Sequence, residues 1–311
     1  MLKIGQSFTI EESQAISSLN WSSYGLLAGD NNGNIHFWPN ANENYKLGEH
    51  SYISNQTYSD ELCSVVSIAV FNNICCFCTL YGSFYTMTLP PQDSEPLITI
   101  SDFKPEKVNE IENAFTILAV ETGFLIGTIT GKVILYTLSN NNNQSAPLQE
   151  VQLFDEPICS LASNPYTRGY VALSRSKILF LHKQDLHILA SLNTTSKDNC
   201  SLSLTNDGYS IVIGSRSGSI QIVDAITFTE CGIIETEKTS INSIVPCDFS
   251  NRFMGVTGNG KVLNFELVDK VDSAPFYPSI LYAVAVNSKC TKAAVAGNSQ
   301  LINILTINSN I

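Results

Sequence analysis

Leu26-Leu27-Ala28-Gly29-Asp30-Asn31-Asn32-Gly33-Asn34-Ile35-His36-Phe37-Trp38 reads as an apolar strand, a turn of small polar residues, and a second strand with apolar positions alternating. The same motif returns as Leu125-Ile126-Gly127-Thr128-Ile129-Thr130-Gly131-Lys132-Val133-Ile134-Leu135-Tyr136. It returns again as Ile211-Val212-Ile213-Gly214-Ser215-Arg216-Ser217-Gly218-Ser219-Ile220-Gln221-Ile222-Val223-Asp224. In each copy a glycine (Gly33, Gly131, Gly218) supplies the positive φ that a tight hairpin needs. The residue before it in these copies and a weaker one (Asn32, Thr130, Ser217, Asn259) is expected to hydrogen-bond local backbone.

Weaker copies put the turn residue at Gly82, Ser176, Gly260 and Gln300. The turns at 33, 82, 131, 176, 218, 260 and 300 are separated by 49, 49, 45, 42, 42 and 40 residues. A four-stranded propeller blade takes roughly 40–45 residues. Each unit has another strand-like run ahead of its hairpin, as in Ser64–Ile68, Ile158–Ala162 and Ile241–Val245. Apolar runs suit inner strands buried on both faces, and alternation suits outer ones such as Gln149-Glu150-Val151-Gln152-Leu153. The pattern predicts an all-β chain in which residues 1–311 form one seven-bladed β-propeller. Its last blade is one strand short, and Lys3 to Ile10 is expected to supply that strand and close the ring. An open β-sandwich does not account for seven even spacings.

Composition narrows the function. Apolar residues make up 44% and charged ones 14%, the signature of a chain with ample core. The longest apolar stretch, Ser64 to Leu80, is broken by Asn72 and Asn73, short of a membrane span. The N-terminus lacks a basic-then-apolar leader, so the expectation is a cytoplasmic or nuclear protein that is not secreted. Nine scattered cysteines fit a reducing compartment and read as small buried hydrophobes. A net charge of −11 repels a phosphate backbone and argues against direct nucleic-acid binding.

Candidate contact residues follow from the fold. Second-to-third-strand hairpins and blade-to-blade links share one face of a propeller. Acidic pairs fall in successive links: Glu11 and Glu12, Asp60 and Glu61, Glu110 and Glu112, Asp155 and Glu156. The next sector holds Arg175 and Arg216 in hairpins and Lys197 and Lys238 in links, with Asp198, Glu235 and Glu237 nearby. The reading is an electrically two-sided face that docks a partner of complementary charge; the plain alternative is ordinary solvated loop charge. Cys75, Cys76 and Cys78 alternate faces on one strand and lack a second ligand cluster, so they read as core and not as a metal site. Tyr81, Phe84 and Tyr85 are read as blade core before exposed contact, and Asn140 to Asn143 as a loop tip.

Nothing in the sequence points to catalysis. His36, His50, His182 and His187 lie in or beside third or outer strands, and none adjoins a Gly-x-Ser-x-Gly motif. Phosphate-binding and His-Glu-x-x-His motifs do not occur, and no cofactor is expected.

The repeats resemble degenerate WD40 repeats. The tryptophan of the signature stands only at Trp38, the Trp-Asp pair survives as Val223-Asp224, and no Gly-His pair opens a repeat. Within that family, Leu27–Ile35 and Ala296-Gly297-Asn298-Ser299 resemble the first and last blades of THO complex subunit 6 proteins. Val108–Ala114 and Gly258–Asn264 are also similar to theirs. The resemblance implies a non-enzymatic nuclear subunit of the THO/TREX assembly, acting in mRNA processing and export through contacts with other THO subunits. Two other readings stay open: a scaffold or receptor of a different assembly (nuclear pore or ubiquitin ligase), and a peptide-reading module. The ligase signature, an Arg two residues past the Trp-Asp position, is replaced here by Ile226.

Overall fold

The turn glycines decide where the chain reverses. In the computed structural model Gly33, Gly82, Gly131, Gly218 and Gly260 all have positive φ, between 79° and 93°. Residues 3–9, 15–39, 52–53, 63–90, 104–138, 149–164, 169–247, 251–267, 271–275 and 279–307 are described. They form seven four-stranded antiparallel sheets, and none of them is helical. Blade one comprises Ile16–Ser22, Gly25–Asp30, Ile35–Trp38 and Tyr52–Ile53. Blade two comprises Val65–Phe71, Ile74–Thr79, Phe84–Thr88 and Glu106–Lys107. Blade three comprises Ala114–Val120, Gly123–Thr128, Lys132–Thr137 and Gln149–Gln152. Blade four comprises Ser160–Ser163, Gly169–Leu173, Lys177–His182 and Ile188–Asn193. Blade five comprises Asn199–Leu204, Ser210–Ser215, Ser219–Asp224 and Glu230–Glu235. Blade six comprises Ile241–Pro246, Arg252–Thr257, Lys261–Glu266 and Val271–Pro275.

Blade seven has Leu281–Val286, Lys292–Gly297 and Leu301–Thr306, and its fourth strand is Lys3–Thr9. Lys3 pairs with Thr306 and Thr9 with Leu301, as expected from the sequence. This strand organisation is that of a seven-bladed β-propeller. The chain divides into two compact units: 1–114 with 282–311, and 115–281.

In the first unit, Leu27, Ile35 and Phe37 of blade one pack on Val65, Cys75 and Phe77 of blade two. Trp21, Ala28 and Trp38 pack on Ala294, Ala296 and Ile302 of blade seven. In the second, Leu125, Val133 and Ile158 join Tyr170, Leu179, Leu181 and Leu186, and Val171, Ile178 and Phe180 join Leu204, Ile211 and Val223. Each fully buried aliphatic side chain contributes about 1.5–3 kcal/mol.

At three junctions one sheet meets the next over a glycine of the second strand. A β-carbon on Gly29 would lie 2.6 Å from Val65, one on Gly127 2.7 Å from Ile158, and one on Gly214 2.8 Å from Ile241. Val65, Ile158 and Ile241 are fully buried. Beside two of these contacts a one-residue bulge in the preceding first strand sends polar atoms to the same place. Ser17 and Ser18 donate to the Val65 carbonyl at 2.7 and 2.9 Å, and Ser201 donates to the Ile241 carbonyl at 2.8 Å.

The hairpins correct one reading. In blades one, three, five and six the residue that ties the turn lies at the end of the second strand, not beside the glycine. Asp30 accepts from the Asn32 and Asn34 amides, Thr128 and Thr257 from the Lys132 and Lys261 amides, and Ser215 from the Ser219 amide. Thr130 and Ser217 bond to the Thr128 and Ser215 hydroxyls instead, and Asn259 accepts from Thr257. A short hydroxyl reaches across a three-residue turn, whereas the next side chain sits outside the ring it closes. Asp30 also holds buried His36 at 3.0 Å. Burial pushes its pKa up, but the bonds from His36 and Asn34 outweigh that and leave it lowered.

Burial settles other expectations. Cys75, Cys76 and Cys78 are fully buried and held well above the usual thiol range by desolvation. Cys231 is exposed, an exception to the reading of the cysteines as core. Phe84 is fully buried and Tyr85 stacks on Phe77, but Tyr81 is 68% exposed. His50 and Asn140 to Asn143 lie outside the described residues.

Gly214→Ala should destabilise the protein by about 1–3 kcal/mol through overpacking against Ser201 and Ile241. Gly232→Ala, in an outer strand with open space around it, should be neutral or stabilise by less than about 1 kcal/mol. Urea denaturation of both variants beside the parent checks the pair.

Candidate partner-binding surface

In the second unit the hairpins between second and third strands of blades four, five and six are bonded to adjoining links. Thr194 N–H donates to Ser176 O (2.9 Å), Asn199 N–H to Arg175 O (3.0 Å) and Arg216 N–H to Asp198 O (2.8 Å). Thr236 N–H donates to Gly218 O (3.1 Å) and Gly258 N–H to Ser240 O (2.9 Å). The link 194–198 thus touches the hairpins of blades four and five, and the link 236–240 those of blades five and six. Arg175, Lys197, Arg216 and Lys238 all stand exposed on this continuous strip.

Two half-buried thiols lie close to the arginines. Burial pushes Cys159 up to about 11, against the pull of both Arg175 and Arg216. Burial pushes Cys200 up to about 12, against the pull of Arg216. Among the described residues, the lysine ion pairs are Lys132–Glu150, Lys183–Glu121 and Lys261–Glu237, the other pairs belong to histidines, and none involves Arg175, Lys197, Arg216 or Lys238.

Glu237, next to Lys238, is held by Lys261 and by Asn259 at 2.9 Å, and these bonds lower its pKa. With Glu235, Thr236, Thr257, Leu263 and Ser273 it lines an open depression next to Lys238.

The acidic residues are distributed differently. Glu110 and Glu112 are exposed in the first unit, in a link bonded to the hairpin of blade two through Ala114 N–H and Gly82 O. Asp155 is exposed in the second unit. Glu156 is half-buried and accepts from Ser174 Oγ (2.5 Å), Ser176 Oγ (2.9 Å) and Ser176 N–H (3.3 Å). Burial raises its pKa, but these bonds and the nearby charge of Arg175 outweigh it and leave it lowered. Glu156 belongs to the Arg175 hairpin more than to an acidic sector. Asp60, Glu61, Glu11 and Glu12 lie outside the described residues.

One grouping went unseen in the sequence. The third strand of blade four runs from Lys177, beside the Arg175 hairpin, to His182 at the other end of the sheet. There the turn to the fourth strand brings His182, Asp185 and His187 together. Spacing of three and two residues was the available signal.

No protein-family model and no curated protein matches the chain. The fold matches a chain in the crystal structure of the mitotic checkpoint complex, with a TM-score of 0.79 and 10% identity. The match covers 99% of this chain and 92% of that one. The shared feature is the WD40-like, seven-bladed fold itself.

Glu156→Gln should lower stability at pH 7 by about 1 kcal/mol, the scale of a partly exposed charge-assisted bond. Because the folded pKa is depressed, the contribution is present above the ordinary 4.5 and lost as pH falls through the lowered value. Urea unfolding at stepped pH should show the difference between parent and variant shrinking in acid.

Proposed function

We propose that the chain is a non-enzymatic protein-interaction scaffold that docks an acidic segment of a partner along Arg175, Lys197, Arg216 and Lys238. The observation that carries this reading is the strip itself: four exposed cations on one bonded run of loops, in a protein whose net charge is −11. Such charge sets orientation and association rate more than final affinity.

The finer assignment rests on the sequence resemblance of Leu27–Ile35, Val108–Ala114, Gly258–Asn264 and Ala296–Ser299. It is a THO complex subunit 6-like propeller, nuclear, assembling with other THO subunits in mRNA processing and export. A second reading, a subunit of another assembly, draws on the likeness to a chain of the mitotic checkpoint complex.

Affinity purification from native cells, with the parent and Arg175→Glu/Arg216→Glu side by side, tests both levels. The expected result is recovery of THO subunits in comparable amounts with the parent, and a loss of about tenfold or more with the variant. A different complex enriched with the parent ends the THO assignment. Equal recovery by both proteins ends the role of the strip.

A further inference from the structure

The turn between the third and fourth strands of blade four, His182-Lys183-Gln184-Asp185-Leu186-His187, carries a cluster that the fold does not require. Blade five makes the same turn. His182 N–H donates to His187 O at 3.0 Å and Asp224 N–H to Thr229 O at 2.9 Å. Leu186 N–H donates to His182 O and Phe228 N–H to Asp224 O, both at 3.0 Å, and Leu186 and Phe228 have φ of 56° and 57°. Backbone bonds close both turns. In blade five Asp224 caps its turn by accepting from Ile226 and Thr227 N–H, and Thr227 and Thr229 join their hydroxyls at 2.8 Å. Blade four replaces Asp224, Thr227 and Thr229 with His182, Asp185 and His187.

These three side chains converge. His182 Nδ1 and His187 Nδ1 both lie against the same oxygen, Asp185 Oδ1, at 2.8 and 2.6 Å. All three atoms fall within 4.8 Å of one another. The backbone beneath is fixed, because Leu186, between two of the three residues, is fully buried in the core with Leu179, Leu181 and Tyr170. Lys183, the turn's only cation, is drawn off by Glu121 at 3.0 Å and sits over the Tyr170 ring. Side-chain exposures of 29%, 59% and 53% leave the cluster open to solvent.

We propose that His182, Asp185 and His187 form a binding site for a divalent transition-metal ion, zinc first. Two imidazoles and one carboxylate are a donor set that suits zinc, with a remaining position for water or a partner's ligand. A zinc ion bound at about 2.0–2.2 Å to each atom spaces them about 3.4 Å apart at tetrahedral angles. To reach that, the two His–Asp contacts open by less than about 1 Å, and the two Nδ1 atoms, within 4.8 Å of each other, settle at the same spacing. The ring protons then sit on Nε2, leaving both Nδ1 lone pairs to the ion.

Isothermal titration with Zn2+ in a reducing buffer tests the site, in a Cys231→Ser background that removes the exposed thiol. The expected result is one ion per chain. His187→Ala and Asp185→Asn should each weaken binding by about tenfold or more, since even indirect partners of a ligand cost that much. His182→Ala/His187→Ala should abolish the event, while circular dichroism shows the fold intact. Co2+ in place of Zn2+ should give a visible d–d spectrum that disappears in the same double variant. Zn2+ binding of unchanged affinity and stoichiometry in the folded double variant overturns the proposal, as does no heat with the parent at millimolar Zn2+.

Discussion

The close approach of one sheet to the next over a glycine is the constraint that sets three of the sheet junctions. Val65, Ile158 and Ile241 each sit where a β-carbon on Gly29, Gly127 or Gly214 would stand. Nothing larger than hydrogen fits there, and a methyl group would push whole sheets apart, not one flexible tip. At Val65 and Ile241 serine hydroxyls of the preceding sheet satisfy the carbonyl that the contact buries, so packing and hydrogen bonding fix one spacing. The residue directly after each glycine, Asp30, Thr128 or Ser215, ends the strand and ties the hairpin. Sheet spacing and turn geometry are thus set by adjacent residues.

Much of this was legible in the sequence. The turn glycines announce themselves because a hairpin with positive φ excludes most other residues, and their spacing counts the blades. Lys3–Thr9 could be assigned to blade seven because Leu301–Thr306 otherwise ends a sheet with an open edge. Less visible was which polar residue serves the turn. Thr128 and Thr130 look equivalent in a string of letters, and only the three-residue span from Thr128 to Gly131 decides between them. Gly29, Gly127 and Gly214 stood in the motif too, but a glycine required by a neighbouring sheet has no local signature.

The candidate site was legible in part for the same reason. Adjacent links and hairpins place Arg175, Lys197, Arg216 and Lys238 together once the fold is known. Sequence charge does not show which groups are already engaged: Glu156 is absorbed by Ser174 and Ser176, and Glu237 by Lys261. The triad of blade four was hidden because it depends on Leu186 adopting a left-handed conformation that leucine seldom takes. The two features lie at opposite ends of the strand Lys177–His182, so charge recognition at one end leaves the other unencumbered.

The pairing of Lys3–Thr9 with Leu301–Thr306 also sets a clock on biosynthesis. The first strand leaves the ribosome about 290 residues before its partner exists. At about 5–20 residues per second that is roughly 15 to 60 s. For that interval a seven-residue strand carries unpaired amides and carbonyls while six other sheets assemble behind it. Completion of this sheet therefore waits on the last strand to be made, and until then Lys3–Thr9 is an unpaired edge.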